Sequence, residues 1–497
     1  MTTVASHRVL PEAPIASIAA YLAAGGGEGL RSARLVDPEV IVAELEASGL
    51  RGRGGAGFPT GTKWRTVLAY ASSVLDTVVV VNAAEGEPGT YKDRSILLAN
   101  PYVVLEGALI AAYAVGSRSV VVATKQRFAE VLARLERAID EVRGAGWSDG
   151  IDITVLAGPG EYLYGEETAL LEVLDGRAPM PRIAPPWRRG VVEVVEHVGD
   201  LDSGSGLPAD VRMATADAGN VVPPVLVDNV ETLANVPAII AGGAALFRTL
   251  GTEESPGTIV CTVTGAVGRA TVVEVPLGTP LRTVLELASR AGGHDGAAGT
   301  SRRPLRCVLM GVSNAVLGPE DLDTPLSYEA MREHGTGLGS ASFIVVDDTT
   351  HPVAVAAAAS RFLAVESCGQ CTPCKQDGLE IADRLASMVA GTAAPDDLAA
   401  VNKRLGTVAD GARCALATQQ QVVIGSLVRR FAAEFTQRAA ASPAAPIEPY
   451  ALAELDDIVD GHAVLDQSFA SKQPDWTHDA RDSGQTPVER FSDHRAR

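Results

Sequence analysis

The chain has 497 residues, 46% of them hydrophobic and 4% aromatic, with 42 Lys and Arg against 61 Asp and Glu for a net charge of −19. That length accommodates about three domains with cores that need no disulfide to fold. The acidic balance repels phosphate backbones and anionic membrane surfaces, which excludes nucleic acid as a partner.

The most apolar runs, Thr77 to Val81 and Val353 to Ala359, stop well short of the ~20 residues a membrane-spanning helix requires, so no direct membrane insertion is expected. The first residues lack the charged start, apolar centre and cleavage site of an export signal. The expected location is cytoplasmic, free or peripheral to a membrane complex.

Residues 1–39 read as a lead-in with one short helix near Ile15 to Ala24, stopped by Gly25-Gly26-Gly27. From Val40 the pattern alternates. Thr77 to Val81 is a β-branched strand, Pro101 to Val115 a helix capped by Asn100, Ser119 to Ala123 a strand, Ala129 to Arg143 a helix and Ile151 to Leu156 a strand. Such alternation predicts an α/β domain over 40–250, a mostly parallel sheet with helices on its faces. Periodicity is lost between Trp187 and Pro224, read as a long loop or insertion, and Asp228 to Ala241 resumes helical spacing.

Over 251–348 the order is strand, strand, helix, strand, strand (Thr258 to Thr264, Thr271 to Val275, Leu281 to Ala291, Arg306 to Met310, Ala341 to Val346), which fits a small β-grasp unit. Over 349–438 the strands stop, and Val353 to Val365, Gly378 to Val389, Asp397 to Val408 and Gln419 to Phe435 predict a helical bundle. Residues 439–497 have the composition of a linker and a poorly ordered tail. Leu465, Phe469 and Trp476 stand out there as apolar anchors for docking on a partner.

Six cysteines are present, and Cys368-Gly-Gln-Cys371-Thr-Pro-Cys374 places three of them in seven positions, with Cys414 after 39 intervening residues. Such crowding suits metal ligation better than a disulfide framework. Three thiolates on one loop can cap three corners of a cubane while a distant fourth closes it, as in a 4Fe-4S cluster. Zinc also takes four thiolates, usually as two separated pairs. Cys261 and Cys307, each alone in an apolar strand, read as buried thiols.

The segment Gly52-Arg53-Gly54-Gly55-Ala56-Gly57-Phe58-Pro59-Thr60-Gly61-Thr62-Lys63-Trp64 lacks P-loop spacing and follows no predicted strand. Its glycines would let backbone N–H groups approach a phosphate or a flat ring, with Lys63 to neutralise charge, and it reads equally as a flexible surface loop. Asn82 to Gly89 leaves the carboxyl end of the most apolar strand, where open α/β sheets hold ligands. Gly158 to Thr168 also follows a strand and opens a helix. Its acids read either as ligand contacts or as helix-start charges favoured by the dipole.

Taken together, Gly52 to Trp64, Asn82 to Arg94, Tyr162 to Leu170, Asn229-Val230-Glu231-Thr232-Leu233-Ala234 and Glu366-Ser367-Cys368 through Cys374 with Cys414 resemble the family of flavoprotein subunits found in complex I, NAD-linked hydrogenases and NAD-linked formate dehydrogenases. The resemblance spans roughly Val40 to Phe435. It implies an FMN held by Gly52, Gly54, Gly55, Lys63, Asn82, Tyr162, Gly165, Glu166, Glu167, Asn229 and Thr232. It further implies NADH or NAD contacts at Phe58, Glu87, Tyr162 and Trp187, and a 4Fe-4S cluster on Cys368, Cys371, Cys374 and Cys414. The implied activity is NADH oxidation through FMN, with single electrons passed to the cluster and on to partner subunits. A relay or scaffold subunit that has lost nicotinamide binding is the alternative.

Several positions depart from the family pattern. Ala84 stands where Asp is usual, Asp228 replaces the first of an Asn pair, Thr66 replaces an aromatic, Ala184 a Lys and Trp187 a Phe. Three of these fall on the nucleotide side, where the shape of Trp187 suits it as a stacking surrogate. Arg188 and Arg189 suit either solvent or the extra phosphate of NADPH. No thioredoxin-like 2Fe-2S extension and no ferredoxin-like Cys run is evident. The expected partners are therefore a small 2Fe-2S thioredoxin-like subunit and a larger iron-sulfur subunit in a hetero-oligomeric complex.

Overall fold

The computed structural model of the chain describes residues 6–71, 76–183, 224–291, 303–441 and 443–493. Four parallel strands form the first sheet: β1 (Val78–Ala83), β2 (Ser119–Lys125), β3 (Asp152–Gly158) and β4 (Val225–Asn229), in the order β3-β2-β1-β4. The pleat of β1 sends Val79 and Val81 into one core and Val80 into a second core on the other face, the alternation of a strand buried on both sides. This is why its sequence is an unbroken apolar run.

The first face is covered by α1 (Ile18–Ala23), α2 (Glu28–Ala33), α3 (Pro38–Ser48), α4 (Thr60–Ala69), α5 (Lys92–Ala99), α6 (Pro101–Ala114), α7 (Ala129–Gly144) and α9 (Val230–Gly242); the second is covered by α8 (Glu167–Leu174). The lead-in is thus part of the first core. Buried Glu106 of α6 holds it there, accepting the N–H groups of Gly27 and Leu30 at 2.9 Å each and the Tyr21 hydroxyl at 2.7 Å. Helices α6 and α9 approach closely at Gly107, where a Cβ would come within 2.0 Å of the Leu233 carbonyl oxygen. No single helix among the described residues is long and apolar enough to cross a membrane; α5 and α6 would pass only as a pair, and they bend by 98°.

Two elements of this domain differ from expectation. Helical spacing from Asp228 suggested a helix, whereas Val225–Asn229 is strand β4 and α9 begins at Val230, with Asn229 as its N-cap accepting from Glu231 N at 3.0 Å. A five-residue strand beside an aperiodic segment offers too little pattern to register. That segment, 184–223, lies outside the described residues. Helix α5 was also missed, because polar Lys92, Asp93 and Arg94 hide a buried face.

Beyond the short α10 (Ala244–Phe247), β5 (Thr258–Gly265), β6 (Thr271–Pro276), α11 (Leu281–Ala291), β7 (Leu305–Leu309), α12 (Tyr328–Glu333) and β8 (Ser342–Asp347) follow. The sheet order is β6-β5-β8-β7, with the central pair β5 and β8 parallel and the outer pairs antiparallel. That is the β-grasp arrangement expected from the element order.

The helical part comprises α13 (Pro352–Glu366), α14 (Thr372–Ala390), α15 (Asp397–Leu405), α16 (Leu416–Arg430) and α17 (Ala432–Ala440). Helix α14 starts six residues before the expected Gly378, since Pro373 is tolerated in a first turn, and this places Cys374 on the helix. The expected single helix from Gln419 to Phe435 is two, parted at Phe431.

The tail is the largest correction. Residues 443–493 hold a hairpin, β9 (Leu455–Val459) and β10 (His462–Leu465), and a terminal helix α18 (Pro487–Asp493). Phe469 and Trp476 are buried in the helical core of this same chain, so they serve as anchors within the molecule.

Candidate functional site

The carboxyl ends of β1 and β4 lie side by side, with Asn82 opposite Asn229. Around them opens a cleft of about 560 Å³, within the ~300–1,000 Å³ usual for ligand sites. Gly52, Gly54, Gly55 and Phe58 reach it from the loop between α3 and α4, and Lys63 from α4. Asn82 and Glu87 come from the end of β1 and the loop beyond it, Tyr162, Gly165, Glu166 and Glu167 from the turn between β3 and α8, and Asn229 and Thr232 from the start of α9. Every flavin residue implied by the resemblance therefore lines one cavity. Trp187, Ala184, Arg188 and Arg189 lie outside the described residues.

Three loops interlock to make this wall. Asn82 Nδ2 donates to the Gly165 carbonyl at 2.8 Å, tying the β1 loop to the β3 turn. Arg53 N donates to Thr232 Oγ1 at 2.8 Å, tying the glycine loop to α9. Gly57 has φ +64°, and a Cβ there would sit 2.3 Å from the Tyr328 ring, so the loop needs glycine both for its conformation and for its contact with the β-grasp domain.

Lys63 donates to the Val227 carbonyl at 2.8 Å and to Glu167, with Asp228 Oδ1 at 3.8 Å. Burial opposes its charge, yet Asp228 and Glu167 raise its pKa overall, so it is a fixed cation at the cleft wall. Burial pushes Asp228 up to about 6, against the pull of Lys63 and the Trp64 indole N–H. Asn229 accepts from Lys92 Nζ at 3.1 Å and donates to Asp93 at 2.7 Å, which fixes the orientation of its amide.

The acids divide by role. Glu166 caps α8, accepting from Thr168 N at 3.0 Å and Ala169 N at 2.8 Å, so for this residue the helix-start reading holds. Glu87 gathers the Tyr162 hydroxyl at 2.5 Å, Val312 N at 2.6 Å and the Ser313 hydroxyl at 2.5 Å. Burial raises the pKa of Glu87 against those bonds, and burial followed by the neighbouring Glu87 charge raises that of Tyr162. Ser313, Asn314 and Ser340 of the β-grasp domain, with Thr418 and Gln419 of α16, also line the cleft. Only the packing of domains brings them there, and the sequence around them carries no signal of it.

A second and much tighter cavity, about 10 Å³, adjoins the cleft and shares Leu163, Cys414 and Leu416 with it. Cys368, Cys371, Cys374 and Cys414 all line it. Cys371 is the N-cap residue of α14, Cys374 lies in its first turn, and Cys414 precedes α16. Among the described residues no three His, Cys, Asp or Glu side chains converge on the volume of a single metal ion. Four soft thiols spread around a shared space fit a four-iron cage better than one zinc. Cys261 and Cys307 are buried in β5 and β7, away from both cavities.

Residues 45–238 match the Nuo51 FMN-binding domain, and residues 354–438 match the NADH-ubiquinone oxidoreductase-F iron-sulfur binding region. The F subunit of NADH-quinone oxidoreductase from Streptomyces coelicolor is 35% identical over 420 residues, spanning 83% of this chain and 86% of that protein. The chain belongs to this family of NADH-quinone oxidoreductase F subunits. Within the family the Mycobacterium tuberculosis protein is 37% identical over 361 residues, covering 71% of this chain and 74% of its own length. The mitochondrial NADH dehydrogenase [ubiquinone] flavoprotein 1 of Dictyostelium discoideum is 32% identical over 426 residues, covering 83% and 82%. The fold superposes on a chain of an NAD+-reducing [NiFe]-hydrogenase with a TM-score of 0.70 at 30% identity, over 86% of this chain and 66% of that one.

The two matched regions supply most of the lining of the two cavities. The cleft residues up to Thr232 fall in the FMN-binding match, and all four cluster cysteines fall in the iron-sulfur match.

Proposed function

We propose that this chain is the NADH-oxidising flavoprotein subunit of a hetero-oligomeric assembly of complex I or hydrogenase type, with FMN in the cleft and a 4Fe-4S cluster in the cavity behind it. The single observation that carries the reading is the position of Cys414, which lines both cavities together with Leu163 and Leu416. The two cavities share these three side chains, so Cys414 would hold a cluster seated beside a flavin bound in the cleft.

When bound, FMN supplies the conversion between a two-electron hydride and single electrons. The chain supplies placement and charge. Lys63 presents a fixed cation to the ring or phosphate, and the glycine loop admits close backbone approach. Phe58, 50% exposed at the cleft, offers a face on which an adenine can stack. Glu87 accepts the Tyr162 hydroxyl, and the pair presents polar atoms in the cleft that orient a carboxamide or ribose. Electrons leave to a separate polypeptide, and the proposed partner is a small 2Fe-2S thioredoxin-like subunit backed by a larger iron-sulfur subunit.

The test is anaerobic reconstitution with FMN, iron and sulfide, followed by NADH. Rapid bleaching of the flavin band supports the reading. An unchanged spectrum at full cofactor occupancy overturns it in favour of a relay that has lost nicotinamide binding.

A further inference from the structure

Tyr162 is held from behind by Glu366 and Phe362, and each of these is backed by a residue beyond 438, where the matched iron-sulfur region ends. Its backbone N–H donates to Glu366 Oε2 at 3.1 Å, and the other oxygen of Glu366 accepts from Lys472 Nζ at 2.6 Å. Glu366 is 2% exposed and Lys472 7% exposed. A carboxylate at that depth without a cation would be strongly destabilised; Lys472 is the cation in direct contact with Glu366, while Lys375 and Lys125 act on it at longer range. The ring of Tyr162 has a second support: it meets Phe362 edge-on with centroids 5.3 Å apart, and Phe362 rests on Phe469 at 5.1 Å. Both supports end in the C-terminal segment.

That segment is anchored on either side of these contacts. Upstream, Glu454 receives Lys125 Nζ at 2.7 Å at the carboxyl end of β2, and the Leu455 and Asp456 carbonyls receive Arg94 Nη1 at 2.8 and 3.0 Å. Downstream, Trp476 Nε1 donates to the Val365 carbonyl at 3.0 Å, Lys375 Nζ donates to the Pro474 carbonyl at 2.6 Å, and Val488 N donates to the Cys368 carbonyl at 3.0 Å. The segment therefore spans from the flavin-domain sheet to the loop that carries the first cluster cysteine, and Lys472 sits between the two.

We propose that the C-terminal segment acts as an internal brace for the nucleotide side of the cleft, with Lys472 as the positioning residue that fixes Tyr162 through Glu366. Phe469 supports the ring of the same tyrosine, and Lys472 its backbone. The cleft wall is consequently supported by a segment that does not itself line it, and its rigidity depends on a buried ion pair that the FMN-binding and iron-sulfur matches do not include in full.

The experiment compares Lys472→Met, Lys472→Arg, Phe469→Ala and the double variant Lys472→Met/Glu366→Gln in the full chain. The first readout is amide hydrogen exchange of the Gly160 to Gly165 peptide without cofactors. Lys472→Met is expected to lose about tenfold in protection at the Tyr162 amide, in line with the loss of a charge-assisted hydrogen bond, and Lys472→Arg to retain it. The double variant regains most of that protection, because a glutamine oxygen accepts from Tyr162 N without a cation.

The second readout rests on the nicotinamide reading above. In reconstituted protein Lys472→Met raises KM for NADH about tenfold with kcat within about twofold, and Phe469→Ala, which leaves the ion pair intact, raises it by less. A lower melting temperature with Tyr162 exchange and KM both at their original values overturns the proposal, since the segment would then only stabilise the fold. If the unsubstituted protein fails to oxidise NADH, the nicotinamide reading falls, and the exchange measurement still decides the brace.

Discussion

The Asp228 carboxylate accepts the Trp64 indole N–H at 2.7 Å beneath the cleft, on the residue that directly precedes Asn229. Burial lifts its pKa from 3.8 to about 6 even so, despite Lys63 at 3.8 Å. The folded chain then holds this proton more tightly than the unfolded chain. The contribution to stability is complete below about pH 4 and is lost as pH rises through about 6. Asp228→Asn is therefore expected to gain melting temperature relative to the original protein as pH increases across that window, and to show a constant difference outside it. Thermal melts of both proteins from pH 4 to pH 8 check this, and a flat difference throughout would show that Asp228 is not buried with its charge.

Cys371 and Cys414 separate the two sites experimentally, because Cys371 lines the rear cavity alone whereas Cys414 lines both. Cys371→Ser should lose cluster iron and the reduced-cluster paramagnetic signal while flavin retention stays near its original level. Cys414→Ser should lose the same signal and also loosen the flavin. Iron content, electron paramagnetic resonance and flavin fluorescence on each variant give the answer. Loss of flavin alone in Cys371→Ser would contradict the placement of the cluster.

The contact between α6 and α9 sets the first core. Gly107→Ala would drive a Cβ to within 2.0 Å of the Leu233 carbonyl oxygen, a backbone atom that can yield only if the helix shifts. Overpacking of this kind costs about 1–3 kcal/mol. Because Asn229 caps α9 and the helix carries Thr232, the shift should also weaken flavin retention, although Gly107 itself does not line the cleft. Chemical denaturation and a flavin-release assay measure the two effects separately, and unchanged stability would mean that the helices do not pack as closely as the structure shows.

The sheet and the cysteine motif were legible in the sequence for a common physical reason: each is specified locally. Thr77 to Val81 is a short β-branched run bounded by a turn, which favours a buried strand, and three thiols in seven positions suit a shared ligand. The β-grasp order was likewise legible from its alternating strands. Strand β4 was not, since five residues carry almost no period. The tail was misread because its order comes from sparse long-range contacts. Lys125 with Glu454 and Trp476 with Val365 are separated by 329 and 111 residues, and neither leaves a periodic trace. At the cleft the glycine loops were visible, while Ser313, Asn314 and Ser340 reach it only because a second domain closes over the first.

Phe58 tests whether the mouth of the cleft handles the nucleotide. It lines the cavity and remains 50% exposed, so its ring face is accessible to a stacking partner. The backbone beside it is held independently of the side chain, since the Phe58 carbonyl accepts from Gly52 N at 2.8 Å. Removing the ring should thus leave the glycine loop and the flavin in place. With stacking worth about 0.5–1.5 kcal/mol, Phe58→Ala is expected to raise KM for NADH about fivefold while kcat and flavin content hold, and Phe58→Tyr should restore the original KM. Steady-state kinetics with an artificial electron acceptor, run alongside a flavin assay, separates the cases: parallel loss of flavin in Phe58→Ala would place the ring against the cofactor instead of the nucleotide.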